Sequence, residues 1–591
     1  MNKISKYLLG GALALGLWSC SSDEPTFTQI PTFQGDKATM KISIMTPGDG
    51  TRADGTTADY ATGTDDENYI RKLNFYFYDK AGEYVTCYEG APYYPVDGSN
   101  GSALVEEVGT SKIVLTDLLG QNYPSYVVAV LNYNTGSSST TEDPRFKKHL
   151  NEIYKEVRSA NPWTTSSSRI TDFVMTSATH SGNAEDFYYF ATPVTEENFA
   201  VQQPGDKPGD EWNEDTAEPV KIYVERLAAK VELKFPGYAL QDGGYYEKTL
   251  PNKYSIDGVE QNLTVRLLGW GVNGTAKNMK YFKAVNDNPT PFKTTDGWDY
   301  NGTNRSYWAK TPGYGSNNYS SSFSDVSLKS GNPHTSDNDD CANDEPLNYI
   351  SWETVKSNSF KNGKTVAYVL PHTEAGEKIN LTGNQIHHSA ITEVLIAGQI
   401  VDAQGKPLTL FQLSESYFTK EGLINYLLNA SCAHIWKKDG NKFVNMAPTD
   451  IDVTYGYDGT FRIKVVNDEV TTWYQDNEGR YAWENAQAVA DNINSYLPDQ
   501  QSFCYNDGMM YYNIPIRHLR PYVAGEQIKT GMFGVVRNHW YEVSVGNVAN
   551  LGHSVYRPNE HIIPPSDDTR YKIGSSIKIL SWRMVKQTAE L

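Results

Sequence analysis

The chain has 591 residues and a formal net charge of −19. So acidic a balance argues against a nucleic-acid ligand and against electrostatic docking on anionic lipid. The length allows two or more domains with their own cores, and 41 Tyr with 47 Gly suit half-solvated sheets joined by many turns.

At the start, Lys3 and Lys6 precede an apolar run from Leu8 to Trp18, then small Ser19 and Cys20. The run is too short for a permanent membrane helix. This order predicts a lipoprotein signal over 1–19, cut between Ser19 and Cys20, with the Cys20 thiol then acylated. An ordinary signal peptide ending at a chance cysteine is the competing reading. Ser21-Ser22-Asp23-Glu24 follows, a polar acidic tag that resembles a sorting signal for the outer face of the outer membrane. After Cys20 the cysteines are Cys87, Cys341, Cys432 and Cys504, whose wide spacing leaves their pairing open.

The body reads mainly as short strands. Residues 38–46 alternate, with Met40, Ile42 and Ile44 on one face. The loop from Thr46 to Gly55 is small, polar and suited to proteolysis, and Arg52 is its one basic residue. Residues 69–78 alternate again, with Leu73, Phe75 and Phe77 together. Residues 125–132 form a near-continuous apolar run, expected as a buried central strand. The apolar spacing of Phe146, Leu150, Ile153, Tyr154 and Val157 predicts a helix over 143–160. Residues 201–218 are rich in Pro, Gly and acid, which marks a domain boundary. One long strand is expected over 219–235, and long loops over 271–345. Further strands are expected at 364–370, 391–401, 461–466, 508–516, 532–537 and 540–546, and helices at 419–431 and 484–497. The fold class is mainly β: two β-sandwich domains of Greek-key or transthyretin-like type with a few short helices.

Chemistry-bearing constellations are weak. The chain has no HExxH, no phosphate-cradling Gly loop and no nucleophile elbow. His387-His388 precede a strand, where neighbours point to opposite faces, so surface histidines are expected instead of a metal pair. Asp337, Asp339, Asp340, Asp344 and Glu345 lack calcium-loop spacing and are expected as a solvated loop. The run Arg537 to Tyr541 is expected as a turn with an aromatic anchor. The chain is therefore read as non-enzymatic, with no cofactor and no metal.

The tail carries more. Pro564-Pro565 and a polar run precede 571–591, which ends the chain as strand-like sequence. Tyr571, Ile573, Ile577 and Ile579 share one parity; Leu580, Trp582 and Met584 share the other. The switch predicts a bulge or a crossover between sheets. Such a strand folds back on its own domain or fills a groove in a neighbouring molecule.

Several residues in this order resemble one family, the type V pilins, and within it the shaft-forming subunits of minor fimbria. They are the lipobox at Cys20, the loop Arg52, the strand and turn from Ile70 to Gly82, and the strand from Tyr126 to Asn132. Phe173-Val174-Met175-Thr176-Ser177, Arg226-Leu227-Ala228-Ala229-Lys230-Val231 and Tyr511-Tyr512 follow. Arg537-Asn538 leads a strand to Val545, and Trp582 sits in the terminal strand. The long insert at 271–345 and the short linker depart from the pattern.

The resemblance implies a mechanism. A signal peptide at 1–19 and a propeptide at 20–52 are removed in turn, the second by a trypsin-like protease cutting between Arg52 and Ala53. An N-terminal sandwich at 53–218, a C-terminal one at 219–570 and a donor strand at 571–591 remain. The donor side chains are Ile573, Ile577, Ile579, Leu580, Trp582 and Met584. They fill the groove of another copy and build a head-to-tail polymer, with anchor and tip subunits as accessory partners. The chain is then a cell-surface fimbrial protein, lipid-anchored in the outer membrane before maturation and serving adhesion. Six or seven apolar donor side chains contribute on the order of 10–20 kcal/mol gross, much of it offset by ordering the strand. An anchor or tip subunit, or a surface glycan-binding lipoprotein, is the alternative.

Overall fold

The computed structural model describes most of residues 32–283, then 309–316, most of 347–564, 574–580 and 583–588. The longer stretches left out within these spans are 46–58, 91–106, 134–142, 179–189, 202–216 and 519–526. The protein is mainly β, as its composition and alternation imply.

The first sheet begins with β1 (Ala38–Met45). The short β2 (Asp59–Tyr60) and the helical turn α1 (Asp65–Asn68) lead to β3 (Leu73–Tyr78), β4 (Tyr84–Gly90), β5 (Glu107–Leu115) and β6 (Tyr126–Leu131). β7 (Met175–Ser177), β8 (Ala200–Val201) and β9 (Val220–Arg226) follow, and the short pair Thr192–Pro193 adds to β6. The order is β8-β1-β9-β7-β6-β3-β4, with β5 also on β1. The central run 125–132 is β6, between β3 and β7.

The alternation in β3 separates two cores. Leu73, Phe75 and Phe77 join Met40, Ile42, Val127 and Ile222 on one face. Tyr76 and Tyr78 join Val128, Val130, Phe146 and Tyr281 on the other. Tyrosine suits the second face because each hydroxyl finds a backbone partner. Tyr78 Oη donates to the Phe146 carbonyl at 2.5 Å, and Tyr76 Oη accepts from the Asp143 N–H at 3.0 Å. Local turns also follow from sequence. Asp79 Oδ1 accepts from the N–H groups of Ala81 and Glu83, and Gly82 takes a φ of 90° that suits a residue without Cβ.

The expected helix over 143–160 does not form. Pro144 opens a single 3₁₀ turn (Pro144–Phe146), and Asp143 caps it. A separate turn, α2 (Leu150–Ile153), follows after a break, capped by His149. Val157 and Arg158 then pair with Met279 and Lys280 as strand. Phe146, Leu150 and Ile153 are fully buried, so two short turns reproduce the spacing of one long helix.

The single strand expected over 219–235 is also two. β9 runs parallel to β1, the chain steps across at Leu227-Ala228, and β10 (Ala229–Lys234) enters a different sheet. This step lies beyond the expected division at 218/219. The second sandwich then builds from a long hairpin, β11 (Tyr246–Ile256) with β12 (Val259–Asn273). The loops expected over 271–345 are structured where described. β12 extends to Asn273, and Tyr281 and Phe282 are fully buried between the halves of the chain.

β13 (Val366–Val369), β14 (Glu393–Val401), β15 (Leu410–Leu413), β16 (Ser416–Phe418), β17 (Ser502–Tyr505) and β18 (Met509–Pro515) follow. Two helices, α3 (Lys420–Ser431) and α4 (Ala486–Asn494), fall where expected and share a small core with Phe461–Val465. Residues 532–537 give only a two-residue strand, Gly534–Val535, against His372–Thr373. β19 (His539–Asn547), β20 (Gly574–Leu580) and β21 (Arg583–Thr588) close the fold. One sheet has the order β2-β21-β20-β19-β10-β13; the other is an eight-stranded sheet holding β11, β12, β14 and β18. Val231, Leu233, Tyr541 and Val543 from the first meet Val265, Val394, Ile396 and Tyr512 from the second in one core.

The tail is therefore a hairpin and not a single bulged strand. β20 ends at Leu580, where the parity switches, and β21 returns beside it with Leu580 opposite Met584.

Candidate assembly site at the first strand and the joint

β1 is held from both sides. It pairs antiparallel with β5 from Ala38↔Leu115 to Met45↔Glu107, and parallel with β9 from Ile42↔Val220 to Met45↔Tyr223. Ala38, Met40 and Ile42 are fully buried. Removing this strand would expose those side chains' core neighbours and two rows of ladder groups, on β5 and β9.

The terminal hairpin lies on the second half of the chain. β20 pairs antiparallel with β19, with Ile579 opposite Tyr541 and Ile577 opposite Val543. Leu580 and Met584 face each other across the hairpin backbone. Ser19, Cys20, Arg52, Ala53, Ile573 and Trp582 lie outside the described residues, as do Asp337, Asp339, Asp340, Asp344 and Glu345.

Between the two sheets sits a buried polar joint that sequence reading did not single out. Glu67 of α1 reaches Lys230 of β10 at 2.8 Å. Tyr368 of β13 donates its hydroxyl to the same oxygen at 2.5 Å. Arg226, the last residue of β9, donates Nε to the Glu67 carbonyl and Nη1 to Asn538 Oδ1, and also bonds Asn68. The Lys230 ammonium lies 3.8 Å from the centre of the Trp540 ring, a cation–π contact. Burial alone would push the Glu67 carboxyl up. The charge and hydrogen bond of Lys230, the Tyr368 hydroxyl and Arg226 outweigh it and hold the carboxyl below its ordinary value. Burial lowers the Arg226 guanidinium to about 10.

The 537–541 run is the expected turn and anchor. Asn538 takes a left-handed φ of 58°, and its N–H donates to the Ala228 carbonyl. Tyr541 is fully buried, its hydroxyl accepts from the Val536 N–H, and His518 Nδ1 lies 2.8 Å away. Arg537 reaches the backbone carbonyls of Lys280 and Tyr281, and Lys283 pairs with Glu225 at 2.7 Å.

The histidines expected at the surface are not there. His388 is buried, with Nδ1 3.1 Å from Glu393 Oε2, and His387 is half-buried. His388 opens a 3₁₀ turn, His388–Ala390, with His387 just before it, so neither is in a strand and the alternation argument does not apply. Cys87 and Cys504 are unpaired thiols; burial pushes them up to about 11 and about 12. Cys341 and Cys432 lie outside the described residues.

Residues 504–588 match the family described as major fimbrial subunit protein type IV, fimbrillin, C-terminal. β18 to β21 lie within the matched segment. Similar solved structures include the tip fimbrial protein Mfa3 from Porphyromonas gingivalis with C-terminal truncation. It is 10% identical, covering 92% of this chain and 100% of that one, with a TM-score of 0.27. A fimbrial assembly protein from Parabacteroides distasonis ATCC 8503 is 10% identical over 76% of this chain and 98% of that one, with a TM-score of 0.25. A cell adhesion candidate from the same organism is 12% identical over 93% and 100%, with a TM-score of 0.33. No curated protein matches the chain.

Proposed function

We propose that this chain is a structural subunit of cell-surface fimbriae that polymerises by protease-triggered strand exchange. The precursor reaches the outer membrane with Cys20 acylated. A trypsin-like protease cuts between Arg52 and Ala53, and 20–52 leaves with β1. The 571–591 segment of another copy enters the vacated slot. The two sandwiches divide at 218/219, and anchor and tip subunits cap the polymer. The observation that carries this reading is the seat of β1 between β5 and β9. In the reading, the seat of the terminal hairpin on β19 is its place before exchange.

That same seat favours a second reading. If β20 and β21 belong permanently to their own sheet, the chain is an anchor or tip subunit or a glycan-binding surface lipoprotein. Deleting 571–591 separates the two. Strand exchange expects a folded monomer that forms no ladder on unboiled denaturing gels. Loss of the folded monomer would sink it. Acyl labelling that persists in Cys20→Ala, or mature shaft material beginning at Cys20, would remove the processing steps.

A further inference from the structure

β2 and α1 tie the first part of the chain to the terminal hairpin. β2 pairs antiparallel with β21, Asp59 opposite Met584 and Tyr60 opposite Arg583. Arg583 in turn lies beside His539 of β19. The next residue, Trp540, pairs with Lys230, whose ammonium holds Glu67 at 2.8 Å. The segment therefore closes a ring through the sheet: Tyr60, Arg583, His539-Trp540, Lys230, Glu67. Its downstream end is fixed a second time, by Arg226 Nε on the Glu67 carbonyl at 2.9 Å. Upstream, the chain is fixed by β1, which ends at Met45 in the first sheet.

We propose that β2, with Glu67 of α1 behind it, is a latch that keeps the terminal hairpin on its own subunit until the chain is cut at Arg52. The proposal rests on the strand-exchange reading and adds the control of donor release. A two-residue ladder is weak by itself and frays when it is a chain terminus. In the uncut chain it is an internal segment tethered on both sides, so each opening is followed by rapid re-pairing at high effective concentration. Cutting at Arg52 turns β2 into a free end. One cleavage then both empties the β1 slot and loosens the hairpin that is to fill a slot elsewhere. An uncut subunit keeps its donor, which prevents early polymerisation.

Amide hydrogen exchange on the full chain tests this. Three samples are compared: uncut protein, protein cut after Arg52, and uncut Asp59→Pro/Tyr60→Pro, which cannot donate ladder hydrogen bonds from β2 and leaves Glu67 in place. The latch expects amides of 583–588 to exchange at least tenfold faster in the second and third samples than in the first. Amides of 126–131 and 541–545 should stay protected in all three, which shows that both sandwiches remain folded. Equal exchange at 583–588 in cut and uncut protein, or no change in the double proline variant, overturns the latch. If the latch fails while deletion of 571–591 still abolishes polymers, strand exchange stands without it. If the deleted protein polymerises, strand exchange itself is wrong.

Discussion

The Glu67 carboxylate lies 2.8 Å from the Lys230 ammonium, and their side chains are only 0% and 5% exposed. The two residues come from different sheets' neighbourhoods, so the pair locks the first half of the chain to the second. Breaking such a pair from one side leaves a buried charge and costs about 3–5 kcal/mol. Lys230→Met should therefore lower the urea midpoint strongly. Lys230→Met with Glu67→Gln should recover part of the loss, because the buried carboxylate that Lys230 paired with is no longer charged. Equal destabilisation by single and double variants would show that packing, not charge, holds the joint.

The same pair gives an acid limit. Glu67 has a folded pKa below its unfolded value of 4.5. A depressed carboxyl adds stability that is complete above the unfolded value and is lost as pH falls through the folded one. Its contribution should therefore decay below about 4.5, and Glu67→Gln should flatten the stability profile there. Thermal melts at pH 7, 5 and 3 on wild type and variant measure it.

His372 acts over a higher window. It is 2% exposed, and burial depresses its imidazole from 6.5 to about 3. The unfolded chain binds a proton below 6.5 that the folded chain refuses until about 3. Stability must fall as pH drops from 6.5 toward 3, which is destabilisation by acid and not a lost salt bridge. The His372 ring resonances should not titrate between pH 7 and 4. His372→Asn should reduce the slope of stability against pH in that interval. A ring that titrates near 6.5 contradicts the burial.

What the sequence made legible depended on local periodicity. β1, β3, β6, β14, β18 and β19 were readable because alternation or an apolar run survives within one strand. The helix over 143–160 misled because two separated turns bury Phe146, Leu150 and Ile153 at nearly helical spacing. The strand over 219–235 misled because both halves are apolar and only the Leu227-Ala228 step changes sheet. The joint was invisible for a different reason. Glu67 sits in the short acidic run Asp65-Asp66-Glu67, and its partners Lys230, Tyr368 and Arg226 are more than 150 residues away. No local pattern encodes such a contact. The tail's parity switch was real, but a hairpin between β20 and β21 explains it better than a bulge.

Asn538 joins backbone strain to side-chain bonding. Its φ of 58° is left-handed, and its Oδ1 accepts from the Arg226 N–H at 3.3 Å and from Nη1 at 3.2 Å. Asn538→Gly keeps the backbone geometry and removes only the side-chain acceptor, at a cost of about 1.5–3 kcal/mol for bonds to a charged group. Asn538→Ala loses the acceptor and keeps a Cβ in that conformation without the side-chain bonding that suits Asn to it, so it should lie about 1 kcal/mol below the Gly variant. Chemical denaturation should rank wild type above Gly above Ala. Glycine falling below alanine would mean that the turn relaxes out of the left-handed region.

Ile42 distinguishes a strand that stays from one that leaves. It is fully buried in β1, paired to Ser111 of β5 and to Val220 of β9. Ile42→Ala removes buried methyl groups and leaves a cavity, so the uncut precursor should lose about 2–5 kcal/mol of stability. In the proposed mature subunit that residue has departed with the propeptide. Protein cut after Arg52 and stripped of 20–52 should then show identical melting curves whether it came from the wild type or the variant. The cut wild type should also be less stable than the uncut one, since β5 and β9 have lost their shared partner. A peptide spanning 571–591 should restore stability to both cut samples equally. If the variant's deficit persists after cutting, β1 remains in its sheet, the slot never opens, and the first strand is structural in the mature protein.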